Sequence, residues 1–182
     1  MLIIGFGHRK QVGKNTAAAE LTRLLSDKQV TSVAFADKLY ATAYFLYAWA
    51  GFKPKDYYEA HPEEKSILLP DIGKSPRQIL LDLGTKGIRN CVYNDTWVKC
   101  TLLDPPPVDI LLVTDMRFPN EFNEIKRLGG MCIKIIRPSE PETDDEADIG
   151  LAEEDRWDAI VVNDGSIENL GRRVHREVML HV

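Results

Sequence analysis

The chain has 182 residues, 44% of them hydrophobic and 28% charged, a length that suits one globular domain with room for an inserted subdomain. With 23 Lys+Arg against 28 Asp+Glu the formal net charge is -5, which argues against a general basic coat for nucleic-acid polymers. A small phosphate-bearing ligand at a locally positive site stays compatible with it, and apolar runs along the whole chain exclude disorder.

Met1-Leu2-Ile3-Ile4-Gly5 opens the sequence without the charged-then-apolar anatomy of a signal peptide, so a cytoplasmic protein is expected. Leu2 to Phe6 predicts a first strand, and Thr16 to Leu25 a helix with Ala18, Leu21, Leu24 and Leu25 on one stripe. Between them lies Gly5-Phe6-Gly7-His8-Arg9-Lys10-Gln11-Val12-Gly13-Lys14-Asn15-Thr16, which is where a phosphate loop belongs. Inward-pointing N–H groups and the helix start favour polyphosphate, and Lys14 would reach the β- and γ-phosphates. The loop is atypical in two ways. The first glycine of G-x-x-x-x-G-K falls on His8, and Asn15 replaces the usual metal-binding hydroxyl, with Thr16 one step further on. A chance Gly-Lys at a turn is the ordinary alternative, against which the strand before and the helix after weigh.

Thr31 to Phe35 predicts a second strand, with Asp37 just past it at the ligand-binding edge. Residues 38–103 are helical in pattern and hold no convincing strand. Leu39 to Phe52 is uncharged, too short to span a bilayer, and reads as a buried helix. Pro76 to Val92 opens with Ser75 as N-cap and Pro76 at the first helical position. It carries Arg77, Lys86 and Arg89, and Gly84-Thr85 interrupts it as a bend suited to binding. Each of these bases is alone an ordinary surface charge, and Trp97 alone reads as a core tryptophan that could also stack on a base.

Pro105-Pro106-Pro107 leads into a third strand, Ile110 to Thr114, closed by Asp115 at the sheet edge; Arg117 follows two residues later. Such a carboxylate serves a Mg²⁺ shell or the attacking group, or simply caps the next segment. A helix from Glu121 to Leu128 stops at Gly129-Gly130. Strands Met131 to Ile136 and Ala159 to Val162, then a helix from about Ser166 to Val178, complete the order. Continuous apolar strands alternating with helices predict a doubly wound α/β domain on a parallel sheet. Cys91, Cys100 and Cys132 show no zinc-type spacing and read as reduced thiols. Residues 139–158 hold ten acids and one base, so the rest of the chain is net basic.

These residues converge on a known pattern. The chain resembles the phage-type deoxynucleoside monophosphate kinases of the P-loop nucleoside monophosphate kinase class. The matching pieces are Gly13-Lys14-Asn15-Thr16, Phe35-Ala36-Asp37-Lys38-Leu39, and Pro76-Arg77 with Leu83-Gly84-Thr85 through Arg89 and Trp97-Val98. Asp115-Met116-Arg117-Phe118-Pro119-Asn120-Glu121, Gly129-Gly130, Arg137-Pro138 and Asn163-Asp164-Gly165 follow in order. The resemblance implies a three-layer P-loop kinase fold: a parallel five-stranded sheet with helices on both faces, in one domain. Its core would be 1–37, 104–138 and 159–182, its acceptor-binding helical insertion 38–103, and its short lid 139–158. It implies Mg²⁺-dependent transfer of the ATP γ-phosphoryl group to a deoxynucleoside monophosphate.

By that resemblance ATP is held by Arg9, Lys10, Gly13, Lys14, Asn15 and Thr16, with Asn163 and Gly165 beside the adenine. The acceptor falls to Asp37, Arg77, Thr85, Arg89, Trp97 and Arg117. Lys14, Asp115 and Arg137 would be catalytic, with Mg²⁺ at Asn15 and Asp115, directly or through water. The partners are then ATP and a deoxynucleoside monophosphate, with no nucleic-acid polymer and no membrane. A homodimer is common in the family, and the host cytoplasm is the compartment if a phage encodes the chain. The alternatives are a dephospho-coenzyme A kinase or similar small-molecule kinase, a non-catalytic nucleotide-binding module, and a P-loop hydrolase.

Overall fold

The computed structural model describes residues 1–138 and 149–181, which fall into two compact units: 1–34 with 104–182, and 35–103. The first is an α/β unit on a five-stranded, all-parallel sheet of order β2-β3-β1-β4-β5. Its strands are β1 (Leu2–Gly7), β2 (Val30–Val33), β3 (Ile110–Met116), β4 (Met131–Ile136) and β5 (Ala159–Val162). The central strand, β1, has the unbroken apolar run of a strand covered on both faces. Its alternation decides what each face meets. Ile4 and Phe6 pack with Ala17, Ala18 and Leu21 of α1 (Lys14–Leu24) and with Leu170, Val174 and Val178 of the C-terminal helix Ile167–Met179. On the opposite face Gly5 lies under α6 (Pro119–Arg127), where an added Cβ would sit 2.7 Å from Ile125 Cδ1. Helices therefore flank both faces, the three-layer arrangement the alternation predicts.

Local signals set the helix ends. Pro119 opens α6 and Gly129, at φ +75°, follows its end; the Ser166 hydroxyl accepts from Asn169 N–H at 3.2 Å to cap the C-terminal helix. Three strands differ in their bounds from the sequence reading, β1 by a single residue at Gly7. β2 ends at Val33, its last pairing being with Val113, and Phe35 begins a helix instead of closing the strand. β2 has a partner on one side only, so beyond that rung nothing holds the chain extended. β3 runs on to Met116, which places Asp115 inside the strand.

The second unit is helical throughout: α2 (Phe35–Tyr47), α3 (Lys55–Ala60), α4 (Pro76–Leu81), a π-helix (Asp82–Val92) and α5 (Thr96–Leu102), with 3₁₀ turns at Ala48–Ala50 and Pro62–Ser66. Tyr40, Ala43 and Tyr47, three and four residues apart, turn one stripe of α2 onto Phe52, Tyr58 and Ile79. The expectation that Leu39 to Phe52 is a buried helix fails here. The helix stops at Tyr47, and Phe45 and Trp49, off that stripe, are 86% and 72% exposed. Ser75 and Gln78 form a complete capping box ahead of α4. The expected bend at Gly84-Thr85 is instead part of the π-helix. Gly84 faces Leu39, 2.6 Å from where a Cβ would lie, and its carbonyl accepts from Trp97 Nε1 at 3.1 Å.

Among the described residues no helix is long and apolar enough to cross a membrane. All three thiols are free. Cys91 and Cys100 are exposed, whereas burial, with the Asp158 carboxylate second, pushes the Cys132 thiol up to about 12. The thiolate is the reactive form. A maleimide at neutral pH is therefore expected to label two cysteines in the native protein and the third only after denaturation. Native labelling at Cys132 by peptide mapping would contradict this.

Candidate functional site

Parallel pairing brings the carboxyl ends of the strands to one edge. Gly7 at the end of β1 sits beside Met116 of β3 and Lys134 of β4, and Ile136 beside Val162 of β5. The segments leaving that edge supply the 8–13 loop, Arg117, Arg137 and Asn163. This is where ligands meet doubly wound sheets.

The loop is wound by three residues at positive φ: His8 (95°), Gln11 (62°) and Gly13 (103°). His8 and Gln11 hold this conformation against the Cβ strain that L-residues meet there, a cost typical of binding loops. Gly13 is also the N-cap of α1, and a Cβ on it would lie 2.6 Å from Asn163 Nδ2. α1 carries no acidic residue in its first turn, unlike α6 with Glu121 and the C-terminal helix with Glu168. An anion at this helix start would therefore meet the positive end of the dipole without an acidic side chain of the first turn competing for it.

Lys14 is buried, and its ammonium donates to the carbonyls of His8, at 2.9 Å, and of Arg9. Two further side chains reach the same loop from distant strands. Asn163 Nδ2 donates to Val12 O at 2.9 Å, and Arg137 Nη1 donates to Gln11 O at 3.5 Å. The structure therefore brings Gly13, Lys14, Arg137 and Asn163 together around the loop that bears Arg9 and Lys10. Asn15 is exposed and Thr16 half-buried in the first turn of α1, and Gly165 is exposed just beyond Asn163. Asp115 and Arg117 are half-buried at the end of β3 and just after it.

Glu121 fixes that exit. Buried, its Oε2 accepts from the N–H groups of Arg117 (2.7 Å) and Phe118 (3.1 Å). A carboxylate three residues after the N-cap is a readable capping signal, which could have singled it out. Trp157 carried no such signal. Its indole ring closes on Gly7, where a Cβ would lie 2.4 Å from a ring carbon. It meets Phe122 edge-on at 5.1 Å, and its Nε1 donates to Glu154 O at 2.7 Å. Arg156, the single base of the acidic 139–158 segment, pairs with Glu154, donates to Asn123, and lies over the Phe122 ring at 5.3 Å. Arg156 in turn holds the Glu154 carboxyl below its ordinary range. Residues 139–148 of the expected lid lie outside the described residues.

In the second unit Asp37 occupies the first turn of α2 and is ion-paired with Lys55, which also reaches Glu59 at 3.5 Å. Arg77 is exposed in α4, and Thr85 and Arg89 are half-buried on the π-helix. Trp97 is buried and braces that helix through Gly84.

Asn15 and Asp115 offer hard oxygen donors suited to Mg²⁺. Among the described residues no group of three or more His, Cys, Asp or Glu could form an all-protein cage. Mg²⁺ in phosphoryl-transfer sites takes one or two carboxylates plus phosphate and water oxygens, so this sparse set fits it.

The family model for deoxynucleotide monophosphate kinase matches residues 33–174. A protein of Acanthamoeba polyphaga mimivirus, provisionally named deoxynucleotide monophosphate kinase, is 27% identical over 186 residues, covering 92% of this chain and 91% of its own. The deoxynucleotide monophosphate kinase of Enterobacteria phage T4 is 30% identical over 106 residues, and that of Escherichia phage RB69 29% over 108. Those two alignments take in 55% and 56% of this chain but only 44% of each phage protein.

Proposed function

The chain belongs to the deoxynucleotide monophosphate kinase family, and from that premise we propose that it transfers the γ-phosphate of ATP to a deoxynucleoside 5′-monophosphate, giving the diphosphate and ADP. The observation that carries the reading is the convergence of Lys14, Arg137 and Asn163 on one left-handed loop at a helix start. Phosphoryl transfer asks little covalent chemistry of a protein; it asks for alignment of two phosphates and neutralisation of developing charge.

In this proposal the loop N–H groups and Lys14 hold the β- and γ-phosphates, with Arg9 and Lys10 adding charge and Asn163 and Gly165 bordering the adenine. Arg137 stabilises the phosphoryl group in flight, a role supported by the engagement of Arg156 with Glu154 and Asn123. Bound Mg²⁺ would neutralise phosphate charge, with Asn15, Thr16 and Asp115 as the oxygen donors. Residues 38–103 form the acceptor-binding insertion, with Arg77 and Arg89 on the acceptor phosphate, Asp37 and Thr85 toward the nucleoside, and Trp97 supporting through Gly84. Arg117 serves the acceptor side from the core, 1–37 with 104–138 and 159–182, and 139–158 is the lid that excludes water. If a phage encodes the chain, the host cytoplasm supplies both nucleotides.

A coupled ADP-release assay over the four deoxynucleoside monophosphates, with Lys14→Ala and Arg137→Ala as the losing variants, tests this. Turnover confined to dephospho-coenzyme A, ADP release undiminished without acceptor, or no ADP with any acceptor would each replace the proposal with a different activity.

A further inference from the structure

We infer that Trp157 is a positioning residue for ATP: its indole braces Gly7, the last residue of β1, and so fixes where the 8–13 loop begins. The inference rests on the kinase reading for the identity of the ligand, and adds to it a side chain that acts through the backbone.

The loop is held differently at its two ends. At its far end Asn163 Nδ2 donates to Val12 O at 2.9 Å. At its near end Gly7, in register with Met116 of β3 and Lys134 of β4, passes directly into His8 at φ 95°. The β1–β3 register shifts between Gly5 and Gly7, so the ladder is irregular just where the turn starts. A left-handed residue other than glycine persists only where its surroundings leave it no easier conformation. Gly7 is buried, and the Trp157 ring closes on it. An added Cβ would lie 2.4 and 2.8 Å from two ring carbons, and 2.8 Å from the Met116 methyl.

Trp157 is itself fixed from several directions. Its Nε1 donates to Glu154 O at 2.7 Å, Phe122 meets it edge-on at 5.1 Å, and the Lys134 ammonium lies 5.7 Å from its ring centroid. The next residue, Asp158, is tied to β4 and α6. Its N–H donates to Cys132 O at 3.0 Å, and its carboxylate accepts from Cys132 N–H at 2.7 Å and from Lys126 Nζ at 2.6 Å. A ring anchored on β4 and α6 resists displacement by Gly7, as a brace must. Without it the entry of the loop is a glycine beside an irregular ladder, with a wide choice of backbone conformations. A loop whose entry is already set binds without meeting that ordering cost, so loss of the ring should show as weaker ATP binding.

Calorimetric titration of ATP, without acceptor, onto wild type, Trp157→Phe, Trp157→Ala, Gly7→Ala and the Gly7→Ala/Trp157→Ala double variant tests the brace. Trp157→Ala is expected to weaken ATP binding about tenfold, and Trp157→Phe, which keeps a ring, by less than about threefold. Gly7→Ala is expected to cost about tenfold with the indole present, but less than about threefold in the Trp157→Ala background, where the Met116 methyl can move into the vacated space. Binding of the deoxynucleoside monophosphates, titrated without ATP, is expected to be equal in all five proteins. Undiminished ATP binding by Trp157→Ala, or additive losses in the double variant, overturns the inference and leaves the kinase reading standing. Equal loss of ATP and acceptor also overturns it, since the residue would then be structural. Should Trp157→Ala fail to fold, Gly7→Ala decides, and its undiminished ATP binding overturns the inference. A wild-type protein that does not bind ATP overturns the inference and the kinase reading together.

Discussion

Lys14→Ala is expected to lower turnover by about a thousandfold, the upper range for removing one preorganised donor from a reacting phosphoryl or acyl centre. The ammonium is already inside the loop, held by the carbonyls of His8 and Arg9. In the proposed role, arriving phosphate takes the place of these carbonyls with its own oxygens, so the charge is delivered with little reorganisation. The alanine variant loses the charge and also leaves two inward carbonyls without their donor, so ATP affinity falls along with turnover. Binding of the acceptor in the absence of ATP is expected to be unchanged, because the proposed acceptor residues Arg77 and Arg89 belong to the other unit. Steady-state turnover and acceptor calorimetry on the same preparation check both halves. Turnover within tenfold of wild type would remove the loop from the chemistry.

Phe122→Ala is expected to cost about 3–5 kcal/mol of stability, the range for truncating a buried aromatic ring. Its ring is wholly buried, takes the edge of Trp157 on one side and carries the Arg156 guanidinium on another. The neighbours cannot easily collapse into the gap, because Trp157 is wedged between it and Gly7. For a protein of this size each kcal/mol is worth roughly 2–4 °C, so the melting midpoint should fall by roughly 6–20 °C. Thermal unfolding by circular dichroism checks the size. Tryptophan emission is expected to move to the red as Trp157 gains water. A loss below about 1.5 kcal/mol would mean that the ring packs less tightly than described.

The sheet was legible because its strands are apolar without interruption, and a run such as Ile110-Leu111-Leu112-Val113 has few other uses. Helix starts were legible where chemistry marks them, as Ser75-Pro76 and Pro119 do. The strand, turn and helix around Gly13-Lys14 were legible as such, and the structure adds Asn163 and Arg137 upon the backbone of the loop between them. What escaped was whatever depends on which side of a helix another element covers. Tyr44, Phe45 and Leu46 look as apolar as Tyr40 and Ala43, and only the position of Phe52 and Tyr58 decides between them. Asp115 belongs in the strand because β1 offers hydrogen-bonding partners as far as Met116, a matter of register. Trp157 gains meaning from Gly7, a residue 150 positions away in the chain. No local pattern encodes such a pairing.

The separation of β2 from β3 bears on how the chain reaches its native state. These neighbours in the sheet are joined by residues 34–109, so pairing them first would require closing a very long loop. Nearly all of that loop is the second unit, a single unbroken stretch, 35–103, that is compact in itself. Local helical contacts form far faster than distant strand pairs, and loop closure is cheaper the shorter the flexible part. A second unit already compact leaves only a few residues at each end as free chain. The order of assembly therefore runs against the order of synthesis: the strand made early waits for the helices made after it.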